Sequence, residues 1–206
     1  MTASPRRRLD RDERRAQLVE LGVEMLSSRP IDEVVVDDIA AAAGISRGLL
    51  FHYFPTKRDY LVAVATSVSE QFLEATLPDI DLPLAEQLRS SLEGYLTFVE
   101  RNRPSFVALI RGAVGSDPQL QALYHQTREA IVDHITTAGG GQELSPRARV
   151  LVRGWIGFVE EAAVTWLDDP GSDPDCLSRA EMLDLLEASV WKVLELAGST
   201  DITLPD

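Results

Sequence analysis

The stretch VDDIAAAAGISRGLLFHYFPTK, residues 36–57, predicts two short helices joined by a tight turn. Asp37 and Asp38 stand in the first turn of one helix, where negative charge suits the helix dipole. Gly44 closes that helix, and Ser46 supplies the hydroxyl cap of the next. The second helix is badly composed for structure alone. It holds Gly48, a residue that costs about 1 kcal/mol relative to alanine inside a helix. Leu49, Phe51, His52 and Tyr53 crowd into the same turn and a half before Pro55 stops it. With Leu50 and Phe54 turned inward, the wheel sends Gly48, Leu49, Phe51 and His52 sideways or outward.

A longer helix over residues 12–27 precedes this pair, with Leu18, Leu21, Val23, Met25 and Leu26 on its apolar side. Three helices in this order outline a helix-turn-helix unit. In a major groove Gly48 lets the backbone approach closely and Leu49 meets a thymine methyl, while Arg47 reaches a guanine or a phosphate. Tyr53 and Lys57 sit where phosphate contacts fix register. From pattern alone, a three-helix packing unit with an incidental glycine stays open beside this reading.

Charge sharpens the choice. The 206-residue chain has a net charge of −13, which argues against a general nucleic-acid binder. Yet residues 1–60 hold ten Lys/Arg and ten Asp/Glu, so the whole acid excess lies beyond them. Only the first part is suited to a polyanion. The arm SPRRRLDRDERR, residues 4–15, adds Arg6, Arg7, Arg8 and Arg11, which suit a minor groove or backbone on DNA. One cysteine, Cys176, makes no intrachain disulfide, and no apolar run has the length of a signal or a membrane span. A soluble, cytoplasmic protein is expected.

Downstream the periodicity is helical throughout, and VVV at 34–36 is too short to count as a strand. A helix from Thr56 repeats Tyr60, Val64, Val68 and Phe72. Further helices are predicted over about 84–102, 104–114, 118–138, 146–168 and 178–197. The segment RVLVRGWIGFVEEAAVTWL, residues 149–167, is apolar on nearly all sides, interrupted by Arg153, Glu160 and Glu161. Such a helix is buried on more than one side. It is either the centre of a monomeric bundle or packed partly on a second subunit, with the last helix beside it.

Catalytic and metal motifs are lacking. His125 and His134 lie nine residues apart, on opposite sides of one helix, and no nucleophile elbow, phosphate loop or zinc spacing is present. Neither an enzyme nor a cofactor is expected.

Residues 36–64 closely resemble the DNA-binding signature of TetR-family transcriptional regulators. The resemblance rests on the IA..AG.S.G core, the aromatic run before a proline and the lysine opening the next helix. It extends weakly back to residue 12, while the body is similar only in length, helicity and a tryptophan-bearing penultimate helix. It implies an all-α chain with a basic arm over 1–11, a helix-turn-helix domain over 12–58 and a ligand-binding and dimerisation domain over 59–206. It implies a homodimer through the last two helices, bound to a palindromic operator and released by a small molecule, most simply as a repressor. Ser46, Arg47, Gly48, Leu49, His52, Tyr53 and Lys57 match the positions that touch DNA in that family. Two positions depart from the pattern: a capping threonine corresponds to Val35 and a tyrosine to Phe51, and each loses a phosphate hydrogen bond. A ligand pocket is also implied, with Tyr95, Phe98, Phe106, Leu109, Tyr124, Trp155 and Phe158 as candidate lining, Trp166 further along, and Arg111 and His125 as polar handles. The departures keep a second reading open, a helical small-molecule-binding protein or enzyme with a vestigial helix-turn-helix.

Overall fold

A computed structural model describes residues 10–111, 117–138, 143–168 and 177–197. The arginines of the basic arm before residue 10, and Cys176, lie outside the described residues. All regular structure in the described residues is helical: α1 (Arg11–Leu26), α2 (Val36–Ala42), α3 (Arg47–Tyr53), α4 (Lys57–Ala75), α5 (Leu84–Arg101), α6 (Arg103–Ile110), α7 (Pro118–Ala138), α8 (Pro146–Asp168) and α9 (Arg179–Ala197). A 3-10 turn, Ile31–Glu33, which the sequence pattern did not announce, fills the gap between α1 and α2.

Capping explains most of the boundaries. Asp10 and Glu13 form a reciprocal capping box at α1, and Thr56 and Asp59 form another at α4. Pro118 and Pro146 occupy first helical positions, where a missing N–H costs nothing. Pro104 follows one residue inside α6, which runs to Ile110, and residues 112–114 of the expected span lie outside the described residues.

Two cores form. In the head, Leu18, Leu26, Val34, Ile39, Leu50, Phe54, Tyr60 and Val64 pack together, each nearly inaccessible to solvent. Gly22 lets α1 and α4 approach closely, since a Cβ there would lie 2.4 Å from the Tyr60 hydroxyl and 2.5 Å from Val64 Cγ2. The Tyr60 hydroxyl donates to the Leu18 carbonyl at 2.8 Å, and burial pushes its pKa up. In the body, Leu92, Tyr95, Leu96 and Val99 of α5 pack on Val152, Trp155, Ile156 and Val159 of α8 and on Met182, Leu186 and Val190 of α9.

Helix α4 serves both. Its first half supplies Tyr60 and Val64 to the head, and its Phe72 packs on the body core. The boundary expected between residues 58 and 59 therefore falls inside a continuous helix.

Candidate nucleic-acid interface and body cavities

The turn between α2 and α3 is a complete Schellman closure. Ile45 N–H donates to the Ala40 carbonyl at 2.9 Å and Gly44 N–H to Ala41 at 3.1 Å. Gly44 takes φ +65°, where a side chain is strained. The turn aims α3 so that Leu50 and Phe54 anchor it and Ser46, Arg47, Gly48, Leu49 and His52 are exposed. Ser46 Oγ accepts from Leu49 N–H at 3.2 Å. Lys57, the first residue of α4, is exposed just beyond Pro55. Tyr53 is half-buried against the head core with its ring edge-on to His52.

Among the described residues, nothing in the packing requires Gly48. A Cβ there would meet only Ser46 Oγ, at 3.9 Å, and its φ is not in the left-handed region. The helix forgoes alanine's stabilisation at a place where its own packing asks for nothing.

Three details refine the expected surface. Phe51 is half-buried and packs sideways on the head core, so it is no groove-facing residue. Val35 is the N-cap of α2, contributes no side-chain bond and is 48% exposed. Arg47 is already engaged, with Nε 3.1 Å and Nη1 3.2 Å from the carboxylate of Asp37 on α2.

The body contains two cavities, of about 140 and 130 Å³, that share Phe72, Phe106, Ile131 and Glu160 as a common wall. The inner one lies among α5, α7, α8 and α9 and takes in Tyr95 and Trp155 of the expected lining. The outer one, between α4, α6 and α7, takes in Phe98, Leu109 and Tyr124 and reaches Leu26 and Ile31 of the head. Phe106 borders both.

Phe158 is a correction. It lines neither cavity and is 44% exposed on the outer side of α8. An all-round apolar helix gives no indication of which flank faces inward. Trp166 borders neither cavity, and its indole donates to the Leu177 carbonyl at 2.8 Å. Nor are the polar handles where they were expected: Arg111 pairs with Asp168, and His125 is exposed beside the Tyr124 ring.

Polar groups the pattern missed take their place. Glu160 accepts from the Tyr124 hydroxyl at 2.9 Å and faces Arg128 at 3.6 Å. Burial raises its pKa, with Arg128 and Tyr124 working against that rise. The Tyr124 hydroxyl is pushed up to about 12, chiefly by burial and then by Glu160. Ser91 and His134 line the inner cavity, and burial lowers the His134 pKa, which favours neutral imidazole. Glu160 had shown only as a break in an apolar run, and His134 only as half of a metal pair too widely spaced.

Beside the continuous α4, polar side chains join head and body at two places among the described residues. Ser105 on α6 places its hydroxyl 2.7 Å from the Leu26 carbonyl and 2.9 Å from that of Arg29. Arg58, next to Lys57, forms a two-pronged pair with Asp117, which also accepts from Gln119 N–H at 2.8 Å as α7 begins.

Residues 18–64 match the family of bacterial regulatory proteins of the tetR type, and residues 84–193 match the tetracyclin repressor-like C-terminal domain. A solved TetR-family regulator from Streptomyces coelicolor is similar at 31% identity, over 91% of this chain and 82% of that one, with a TM-score of 0.78. The HTH-type transcriptional activator FasR of Mycolicibacterium smegmatis is 27% identical over 172 residues, 79% of this chain and 76% of its own. The HTH-type transcriptional repressor LfrR of the same species is 27% identical over 135 residues, 62% of this chain and 66% of its own. LfrR solved with proflavine shares the fold, with a TM-score of 0.53 at 22% identity over 95% of this chain and 100% of that one. These relatives are transcriptional regulators, not enzymes.

Proposed function

The chain belongs to the TetR family of bacterial transcriptional regulators, and from that premise we propose that it is a cytoplasmic, ligand-responsive repressor. It binds a palindromic operator as a homodimer and leaves it when a small molecule enters the body. The observation that carries this reading is the outward group Ser46, Arg47, Gly48, Leu49 and His52, with Tyr53 and Lys57 flanking it, built around a glycine that no contact among the described residues requires. In a groove, Arg47 exchanges Asp37 for a phosphate or a guanine edge.

Dimerisation is supported by the outer stripe of α8 and α9. Val150, Phe158, Leu185 and Leu196 are 72%, 44%, 42% and 56% exposed, and the pairing of two such helix pairs makes a four-helix contact. The two heads then meet half-sites about 34 Å apart. The cavities supply the ligand response. The outer one borders Leu26 and Ile31, so a ligand that displaces its wall moves α1 against α6 and shifts the heads from that spacing. Repression needs only occupancy of the operator, and one similar protein, LfrR, is named a repressor.

A footprint on the DNA flanking the protein's own gene tests the reading. Protection in a two-fold pattern that is lost in Arg47→Ala and Tyr53→Ala is the expected result. Absence of any preferred sequence overturns it.

A further inference from the structure

The regulator reading leaves the effector's chemistry open, and the inner cavity narrows it. We infer that this cavity takes an uncharged, largely apolar small molecule with one hydrogen-bonding group, held by the Ser91 hydroxyl and His134 Nδ1. The inference rests on the regulator reading only in naming this molecule the effector.

Apolar side chains such as Leu92, Tyr95, Phe106, Trp155, Ile156 and Val159 make up most of the wall. Within it, Ser91 Oγ and His134 Nδ1 are withdrawn from solvent and have no hydrogen-bond partner among the described residues. Buried polar atoms without partners are rare, because each forfeits its hydration. Two of them on one apolar cavity mark where a ligand's polar group is met. A serine hydroxyl donates or accepts, and the nitrogen of a neutral imidazole does either according to tautomer.

Charge excludes ionic ligands. Glu160 is the one carboxylate on the wall, and Tyr124 and Arg128 already answer it. His134 is favoured in its neutral form by its own burial. An ion of either sign entering here loses its water and finds no free counter-charge. Thr76, Pro78 and Leu84 border the cavity, and beside them Leu77 and Ile80 stand 51% and 68% exposed, with the exposed carboxylates of Asp79 and Asp81 on either side of Ile80.

The test uses three dyes, two of which differ by one charged group. N-phenyl-1-naphthylamine is neutral and carries a single N–H, and 1-anilinonaphthalene-8-sulfonate adds a sulfonate to the same rings. Fluorescence titration of the full chain is expected to show one saturable site per chain for the neutral dye. The sulfonate and the planar cation proflavine bind at least about tenfold more weakly. Ser91→Ala and His134→Phe each weaken the neutral dye about fivefold while melting normally. Equal or tighter binding of either ion, or unchanged affinity in both correctly folded variants, overturns the inference. Operator binding by the dye-free protein is measured separately. If the dyes behave as stated and no operator is bound, the cavity chemistry stands and the regulator reading falls.

Discussion

Arg58 and Asp117, 59 positions apart, clasp each other where the reading head meets the body, and Arg58 Nη2 lies 2.8 Å from Asp117 Oδ1. Asp117 also accepts the N–H groups of Gln119 and Leu120, so the same carboxylate anchors the start of α7. The Arg58 guanidinium, with those N–H groups, holds the Asp117 pKa down to about 2. A depressed carboxylate contributes stability above its unfolded pKa, near 3.9, and loses it as pH falls through the folded value. Asp117→Asn is therefore expected to melt below the wild type at pH 7. The gap closes as pH drops from about 4 towards 2. A gap constant across that window rules the linkage out.

In the proposed operator complex, the pair between Arg47 and Asp37 competes with DNA for the same guanidinium. Asp37→Asn frees it and removes a negative charge from the binding surface, so operator affinity rises by up to about fivefold, the scale of an exposed ion pair. Melting falls slightly, because Asp37 also favours the N-terminus of α2. Paired gel-shift and melting curves check both signs.

Two glycines make opposite forecasts. Gly48→Ala has open space for its methyl, so the fold gains up to about 1 kcal/mol while operator affinity drops. Gly22→Ala drives a methyl into Tyr60 and Val64, both fully buried, and costs about 1–3 kcal/mol. Urea denaturation separates the pair. A Gly48→Ala protein with undiminished DNA binding would remove the reason for that glycine.

Phe158 is the most exposed aromatic side chain on α8, and Phe158→Glu places a charge in the proposed subunit contact. Sedimentation equilibrium is expected to show monomers, with helicity unchanged and operator affinity reduced by orders of magnitude as the two half-sites uncouple. A dimer of undiminished strength moves the contact elsewhere.

Local features of the fold were legible because local chemistry sets them. Gly44, Ser46 and Thr56 act where they stand in the chain, and the helix-turn-helix follows from them and from the spacing of Leu50 and Phe54. The cavity polars were not legible. Ser91 and His134 matter because neighbours on other helices leave them unmatched, and no spacing within α5 or α7 encodes that. Phe158 went astray for the complementary reason, since an all-round apolar helix conceals its outer flank. The Arg58 and Asp117 link joins residues whose nearness is created only by the packing of α4 on α7.

Because α4 furnishes the floor of the head and a pillar of the body, the reading unit is no detachable cassette. A chimera joined at residue 58 would strip Tyr60 and Val64 from beneath Leu18 and Gly22. A chimera joined after α4 would instead strip Phe72 from the body core and from the wall that the two cavities share, so a body exchanged between such proteins needs an α4 that fits both partners.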